Sequence, residues 1–199
     1  MPTKSERKRE LILDRAKQVF IRRGFNGVTM KDIIAECEIS RGGVYVYFSS
    51  VDEVFVEVIN RHNQAKLAEV KQTVKENTDF EAVLDDYFHM QKERLLHMED
   101  SLLLAMFEFY IANKHNPDKD FFSGTFNTII NVITKIIDHG VNTGHVKHGN
   151  AAILANNILY CIKGLETQAM SYGVSEELID MQFGFYKELI FKREGQSGQ

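Results

Sequence analysis

Residues 29–54 read TMKDIIAECEISRGGVYVYFSSVDEV. Thr29 is a suitable helix N-cap and Asp32 follows three residues later, which resembles a capping box. After a turn around residues 37–39, Ser40 is placed to cap a further helix, in which Val44 and Phe48 share one face. Two short capped helices joined by a tight turn are typical of a helix-turn-helix.

A longer helix is predicted ahead of this pair. Ile12, Ala16, Val19 and Phe20 recur at helical spacing, and Gly24 stands where a glycine commonly ends a helix. The first quarter of the chain, here called the head, therefore has the outline of a three-helix helix-turn-helix domain.

Helical patterns continue through the rest of the chain. Proline occurs only at positions 2 and 117, and strand-type alternation is scarce. Helices are predicted over about 51–77, 80–98, 102–112, 121–142, 150–172 and 175–192. We therefore predict an all-α protein with a helix-turn-helix domain over residues 1–50 and a larger C-terminal helical domain over residues 51–199.

The charge distribution separates the same two regions. The whole chain has a net charge of −4 and a pI of about 6.0. Residues 1–50 hold 10 Lys and Arg against 6 Asp and Glu, whereas the rest of the chain holds 14 against 22. A basic head on an acidic body indicates a polyanion-binding end, although a chance fluctuation of a few charges would give the same difference.

Composition narrows the class of protein. The chain is 44% hydrophobic and 26% charged, as in ordinary globular proteins. The N-terminus lacks the apolar segment of a signal peptide, and no apolar run approaches the ~20 residues of a membrane-spanning helix. Two widely separated cysteines, Cys37 and Cys161, favour a reducing compartment, so we expect a cytoplasmic protein.

The stretch 29–54 resembles the DNA-binding segment of TetR/AcrR-family transcriptional regulators. These regulators have a Thr-capped second helix, a recognition helix of the form Ser-(Lys/Arg)-Gly-x-hydrophobic-Tyr-x-Tyr-Phe, and an acidic start to helix four. The detailed match covers about residues 8–60. The resemblance implies a homodimer that binds a double-stranded DNA operator, and a helical body that binds a small apolar or amphipathic effector.

Within the recognition helix, Val44 and Phe48 are expected to face inward, which leaves Arg41, Gly42, Gly43, Tyr45 and Val46 available to a DNA groove. Arg41 can bond guanine or a phosphate, and Val46 can contact a thymine methyl group. Consecutive glycines at 42 and 43 indicate either close approach of DNA or tight packing between helices. The predicted DNA contacts are Thr29, Lys31, Ser40, Arg41, Gly42, Gly43, Tyr45, Val46 and Tyr47.

Some of these roles depend on the resemblance. The family commonly uses the positions of Tyr45 and Tyr47 for phosphate contacts, and Thr29 and Lys31 lie at a helix start that suits a phosphate. Two positions depart from the family pattern. Val51 stands where relatives usually have a lysine, and Val46 stands where they often have a histidine. The basic arm of Lys4, Arg7, Lys8 and Arg9 either compensates for these losses or is a solvated, disordered end.

The segment Leu102–Ala112 is apolar around the whole helix, so we expect an interior position for it. Glu108 is its one charged residue. This carboxylate either receives a cationic or hydroxyl-bearing ligand, or has an internal Arg, Tyr or backbone partner. Nearby aromatic residues either line a pocket for the same ligand or belong to the hydrophobic core. The predicted ligand contacts are Phe107, Glu108, Tyr110, Phe122 and Phe126.

The last helix carries more apolar surface than its own core needs. One row consists of Leu178, Met181, Phe185 and Leu189, and a second row consists of Ile179, Phe183, Tyr186 and Ile190. The surplus favours a dimer in which helices 150–172 and 175–192 form a four-helix bundle; the alternative is a central helix of a monomer.

The histidines do not follow a recognised metal-binding spacing. His89, Glu93 and His97 share one helix face, and His139, His145 and His148 lie around a turn, but a solvated polar face accounts for both sets. We therefore expect no metal and no cofactor.

These observations predict a non-enzymatic homodimeric transcriptional regulator, a repressor released from a near-palindromic operator by a small molecule. An all-helical enzyme or metal-binding protein using Glu108 with His89 or His97 is an alternative, but it leaves the Ser40–Phe48 pattern unexplained. A helical protein-interaction module is a third interpretation, and it predicts a dimer without affinity for DNA.

Overall fold

The computed structural model describes residues 3–76, 79–115, 120–147 and 150–191, with the backbone only for residues 120–123 and 125. Within these ranges the chain is helical and contains no strand, which confirms the predicted fold class. The helices are α1 (Lys4–Arg23), α2 (Met30–Cys37), α3 (Arg41–Tyr45), α4 (Val51–Glu76), α5 (Phe80–Leu96), α6 (Leu103–Ala112), α7 (Asp120–Asn142), α8 (Ala151–Tyr172) and α9 (Glu176–Phe191). A short 3₁₀ turn, Met98–Asp100, lies between α5 and α6.

The chain forms two compact units. The first comprises Met1–Asn63 and Met98–Thr125, and the second comprises Gln64–His97 and Phe126–Gln199. These units are defined by which residues contact each other in space. The boundary at residue 50 instead separates a predicted helix-turn-helix domain from a predicted C-terminal helical domain, so it stays a prediction.

Local signals in the sequence determine where the first three helices begin and end. Thr29 caps α2 in a reciprocal capping box with Asp32, and the Ser40 hydroxyl accepts a hydrogen bond from the N–H of Gly43. Gly24 ends α1 with a φ of 68°, in the left-handed region that favours glycine. The turn between α2 and α3 also contains a left-handed residue, Glu38.

The N-terminal arm is the first part of α1. Thr3 and Glu6 form a second reciprocal capping box, so the helix begins at Lys4. This corrects the alternative in which the basic arm is a disordered end, because a satisfied cap fixes the first turn.

The core of the first unit joins the head to α6. Four aromatic rings meet there, and the centroids of Phe25 and Phe109 lie 4.9 Å apart while those of Phe20 and Phe55 lie 4.8 Å apart. Such edge-to-face pairs add to the stability gained by burying the rings. The buried residues include Ile12, Ala16, Phe20, Ile33, Val44, Phe48, Phe55 and Phe109.

Helix α6 is not interior. It buries Leu103, Ala105, Met106 and Phe109. Its opposite side is exposed and includes Leu104, Phe107 and Ile111. The prediction of an interior helix is therefore wrong, since an apolar composition does not show how many sides of a helix have packing partners.

The second unit has a separate core of aliphatic and aromatic residues. The rings of Phe88 on α5 and Phe183 on α9 stack at 4.6 Å. Helix α9 is capped by Ser175, whose hydroxyl accepts a hydrogen bond from the N–H of Leu178. Other buried members are Phe80, Leu84, Ile133, Ile136, Ile137, Ile158, Leu159, Ile162 and Ile179.

Helix α9 buries only one of its two apolar rows. Ile179, Phe183 and Ile190 are buried, while Met181 and Phe185 of the other row are exposed.

Among the helices that the structure describes, none is long and apolar enough to cross a membrane.

Candidate nucleic-acid interface

The recognition helix α3 is held by two residues that point into the core. Val44 and Phe48 are buried, as predicted, and they pack with the α1 and α4 residues of the first unit. The backbone continues in helical hydrogen bonds beyond the end of α3, because the N–H of Phe48 donates to the carbonyl of Val44. The side chains between these two anchors are consequently held in fixed directions.

The outward side of this segment carries both charge and apolar surface. Arg41, Gly42 and Tyr45 are exposed, and Val46 has 79% of its surface exposed. The guanidinium of Arg41 lies 5.4 Å from the centre of the Tyr45 ring, a cation–π arrangement that restricts the arginine. An exposed cation and an exposed aliphatic side chain on one helix suit the edges of base pairs in a groove.

The two glycines have different surroundings. A Cβ added to Gly42 would meet nothing within 4 Å, whereas one added to Gly43 would lie 2.7 Å from Cγ2 of Ile39. Packing therefore accounts for Gly43, and only an external partner could require Gly42 to be small.

Helix α2 presents one cation at its start. Lys31 is exposed, while the hydroxyl of Thr29 donates to the Asp32 carboxylate at 2.5 Å within the capping box. Asp32 also accepts from the Thr29 N–H and pairs with Arg23. The hydrogen bonds from the side chain and backbone of Thr29 lower the pKa of the Asp32 carboxyl. The cap thus uses the Thr29 hydroxyl internally and leaves the ammonium of Lys31 directed to solvent.

Tyr47 contacts the first turn of α1. Its hydroxyl lies 3.1 Å from the hydroxyl of Ser5. One helical turn further along α1, the guanidinium of Arg9 lies 5.4 Å from the centre of the Phe48 ring and pairs with Glu57 at 2.9 Å. Sequence reasoning did not find this contact between α1 and the recognition helix, because it joins residues 42 positions apart.

The start of α4 explains one departure from the family pattern. Val51 is partly buried against the core of the first unit, so the fold uses this position for packing. Glu53 accepts hydrogen bonds from the N–H and hydroxyl of Ser49, and these bonds lower the pKa of its carboxyl.

Several arginines of the first unit are neutralised by neighbouring carboxylates. Arg22 pairs with Glu36, and Arg61 pairs with Glu10 and Asp14. Lys4, Lys8, Lys31 and Arg41 are among the cations that have no carboxylate partner in the part of the chain that the structure describes. Uncompensated positive charge therefore lies on α1, α2 and α3.

The predicted ligand contacts belong to different units. In the first unit, Phe107 is exposed and Tyr110 packs partly against the core. In the second unit, the ring of Phe126 lies 6.5 Å from that of Tyr160. The side chain of Phe122 lies outside the described residues.

Glu108 has a backbone partner. Its carboxylate accepts a hydrogen bond of 2.9 Å from the N–H of Asn26, in the turn that follows α1. This is one of the alternatives that the sequence left open, and it accounts for a carboxylate on an otherwise apolar helix.

A second charged cluster was missed by sequence reasoning. Glu166 on α8 is only 3% exposed, and its two oxygens accept from Arg94 on α5 at 2.6 Å and from Lys163 at 2.7 Å. Burial raises the pKa of Glu166, but the charges of Arg94 and Lys163 outweigh burial and hold that pKa below its ordinary value. Leu159, Ile162 and Leu165 precede Glu166 in the sequence, so a carboxylate after an apolar run was the available signal.

The described histidines of the two sets lie in different surroundings. His89 and His97 are exposed, and His97 lies 3.8 Å from Glu93. His139 is buried and its Nε2 has no hydrogen-bond partner in the described part of the chain; His148 lies outside that part. No group of three or more His, Cys, Asp or Glu residues within the described ranges could hold a metal ion.

Two family models match the chain. Residues 12–58 match the model described as bacterial regulatory proteins, tetR family, and residues 83–180 match a tetracyclin repressor-like C-terminal domain. One match lies in the N-terminal part of the chain and the other in the C-terminal part.

The chain is also similar to individual transcriptional regulators, both in sequence and in structure. The uncharacterized HTH-type transcriptional regulator YfiR of Bacillus subtilis (strain 168) is 30% identical over 67% of this chain, and the match spans 65% of YfiR, slightly under two thirds of its length. A crystal structure of a TetR-family regulator from Mesorhizobium loti has a TM-score of 0.76 at 19% identity, with 95% of this chain and 97% of that chain covered.

A third comparison includes a bound molecule. A transcriptional regulator from Saccharomonospora viridis, solved in complex with choline, has a TM-score of 0.73 at 20% identity, with 92% of this chain and 96% of that chain covered. At this identity the likeness shows the fold only. From its two family matches, this chain belongs to the TetR family of bacterial regulatory proteins.

Proposed function

We propose that the chain is a homodimeric transcriptional regulator that binds operator DNA through Arg41–Tyr47, without enzymatic activity of its own. The observation that carries the proposal is the outward surface of the recognition helix, where Val46 is 79% exposed and the charge of Arg41 has no carboxylate partner among the described residues. An exposed valine contributes nothing to the core, whereas a thymine methyl group is a suitable partner for it.

Each side chain of this surface has a distinct proposed role. Arg41 reads a guanine edge, Val46 contacts a thymine methyl group, and Gly42 allows close approach of the DNA. Lys31 and the tyrosine hydroxyls at 45 and 47 contact phosphates, which fix position without reading sequence. Thr29, Ser40 and Gly43 belong to the same surface, where the caps and packing described above hold α2 and α3.

The proposed dimer uses α8 and α9. Ile153 and Tyr160 lie two helical turns apart on α8, and both are more than half exposed. On α9, Met181 and Phe185 are one turn apart and equally exposed. Two such faces bring four helices together, and burial of the aromatic and aliphatic side chains then favours association.

A two-fold dimer places two recognition helices in successive major grooves, about 34–36 Å apart, and so requires a near-palindromic operator. Such binding takes place in the cytoplasm, where bacterial DNA is found.

Regulation by a small molecule is the second part of the proposal. Support comes from the tetracyclin repressor-like match over residues 83–180 and from the choline complex of a protein with the same fold. We propose that the aromatic side chains of Phe107, Tyr110, Phe122 and Phe126 contact an apolar or amphipathic effector. Glu108 remains a candidate contact for a cationic group, although its bond to Asn26 favours a structural role. Release of DNA then requires that the effector bind the DNA-incompetent state more tightly.

The enzyme alternative gains no specific support. Glu108 lies in the first unit and bonds a backbone N–H, while His89 and His97 are exposed in the second unit.

The proposal is tested by gel shift with the DNA upstream of the protein's own gene, over a range of salt concentrations. Specific binding that weakens steeply as salt rises is expected, because several cations release counterions from the DNA. A dimer without measurable affinity for this DNA or for random duplexes would contradict the proposal and favour a protein-interaction module.

A further inference from the structure

The first turns of α1 and the recognition helix meet along a seam. Ser5 contacts Tyr47 at 3.1 Å between their hydroxyl oxygens. One turn along each helix, the ammonium of Lys8 lies 3.0 Å from the position that a Cβ on Gly43 would occupy. Ser5 and Lys8 share one face of α1, and Gly43 and Tyr47 share one face of the recognition segment. The seam is therefore a repeated contact over two helical turns.

The seam is held from both ends. At the start of α1, the capping box of Thr3 and Glu6 fixes the first turn. Beyond Lys8, Arg9 pairs with Glu57 of α4 and lies over the ring of Phe48. The hydroxyl groups and the ammonium are consequently presented in a fixed geometry.

The chemistry of the seam suits an anion. Each hydroxyl carries one proton, and the bond between Ser5 and Tyr47 uses only one of the two. The remaining proton can be donated to an acceptor that has no proton of its own. Lys8, on the same face of α1, has no carboxylate partner among the described residues, unlike the neighbouring Arg9.

We propose that Ser5, Tyr47 and Lys8 form one binding site for a phosphate group of the DNA backbone. The hydroxyl pair donates the hydrogen bond and Lys8 supplies the charge. The proposal rests on the proposed function, and it extends the DNA-binding surface from the helix-turn-helix to the first two turns of α1. The site also compensates for the cation that Val51 does not provide at the start of α4.

The test uses full-length protein and a duplex selected on the wild type from a random-sequence library, with a scrambled duplex of equal length. Ser5→Ala and Tyr47→Phe should each weaken binding to both duplexes by about tenfold, because each breaks the hydroxyl pair that donates one hydrogen bond to a charged group. The double variant should bind little worse than either single variant, since both substitutions disrupt the same phosphate contact. Ser5→Thr, which keeps a hydroxyl, should restore most of the affinity.

Lys8→Gln is compared with Lys17→Gln. Lys17 lies nine residues further along α1 and so on the opposite face of the helix. Lys8→Gln should make the plot of log Kobs against log salt less steep by about 2 for a dimer, at about 0.9 for each phosphate contact. Lys17→Gln should leave the slope unchanged.

Two results would overturn the site. One is additive losses for Ser5→Ala and Tyr47→Phe, which would show independent roles. The other is equal salt slopes for the two lysine variants, which would show that Lys8 contacts no phosphate. Failure of the wild type to enrich any duplex would instead overturn the proposed function itself, so the two failures are distinguishable.

Discussion

The carboxylate of Glu108 on α6 accepts a hydrogen bond of 2.9 Å from the backbone N–H of Asn26, in the turn directly after α1. The same carboxylate occupies the space beside Gly24, where an added Cβ would lie 2.5 Å from one of its oxygens. Because Gly24 also has a positive φ, another residue at position 24 would strain the backbone and would displace the carboxylate. The contact joins α6 to the DNA-binding head within the first unit.

Removing this carboxylate should loosen the turn. Glu108→Ala leaves the Asn26 N–H without its protein partner, and we expect a loss of about 1 kcal/mol in the free energy of unfolding, because water can partly replace the acceptor. Glu108→Gln keeps an acceptor oxygen and should lose less. Urea unfolding measures both variants, and hydrogen exchange at Asn26 should accelerate in Glu108→Ala. An equal loss in the two variants would show that the acceptor does not hold the turn.

The paired glycines should respond oppositely to substitution. Gly43→Ala introduces a Cβ that lies 2.7 Å from Ile39, so we expect it to lower the free energy of unfolding by about 1–2 kcal/mol. Gly42→Ala meets open space and should be neutral or stabilise the helix by about 0.5–1 kcal/mol. Its affinity for DNA should nevertheless fall if the backbone approaches the duplex here. Thermal unfolding and gel shift on the same two proteins separate these effects.

Glu166 should make stability depend on pH. Its pKa in the folded state is below the ordinary value of about 4.3, so its contribution is present above that value and is lost as the pH falls through the folded pKa. Glu166→Gln should therefore flatten the acid side of a plot of unfolding free energy against pH. Glu81→Gln, which removes an exposed carboxylate from α5, is the control for the loss of one acidic group, and the two profiles are compared directly.

Complete removal of the Glu166 side chain tests the same cluster at neutral pH. Glu166→Ala leaves Arg94 and Lys163 facing each other without the carboxylate between them, and we expect a loss of about 2 kcal/mol, since both cations retain some solvent. A stability equal to that of the wild type at pH 7 would show that the buried ion pairs contribute nothing net.

The proposed dimer interface can be tested by introducing one charged residue on α9. Phe185 on α9 is 60% exposed in the single chain, and Phe185→Glu should convert the dimer to a folded monomer because a carboxylate cannot be buried there unpaired. Val46→Glu, which adds the same charge on the recognition helix, is the control and should remain dimeric. Analytical ultracentrifugation at micromolar concentration measures both, and a dimeric Phe185→Glu would exclude this face.

Local signals explain why the head was predictable from the sequence. Thr29, Ser40 and Gly24 determine where helices begin or end through bonds to residues within four positions, and the structure confirms all three. The inward positions of Val44 and Phe48 follow from helical spacing in the same way.

The features that were missed depend on contacts between distant residues. The exposed side of α6 depends on which helices pack against it, and the Ser5–Tyr47 and Arg94–Glu166 contacts join separate helices. Periodicity gives the face of a helix but not its partner, so the residues that pair in the seam and in the buried cluster could not be derived before the structure.

The central claim is that Arg41–Tyr47 reads DNA as a pair of symmetric surfaces. Its most direct measurement is parallel selection from a random-sequence duplex library with the wild type and with Arg41→Ala. The wild type should enrich a near-palindromic sequence, and Arg41→Ala should lose preference at one guanine in each half of that sequence, since a base contact specifies sequence whereas a phosphate contact does not. Enrichment of the same sequence by both proteins, or of none by the wild type, would contradict the claim.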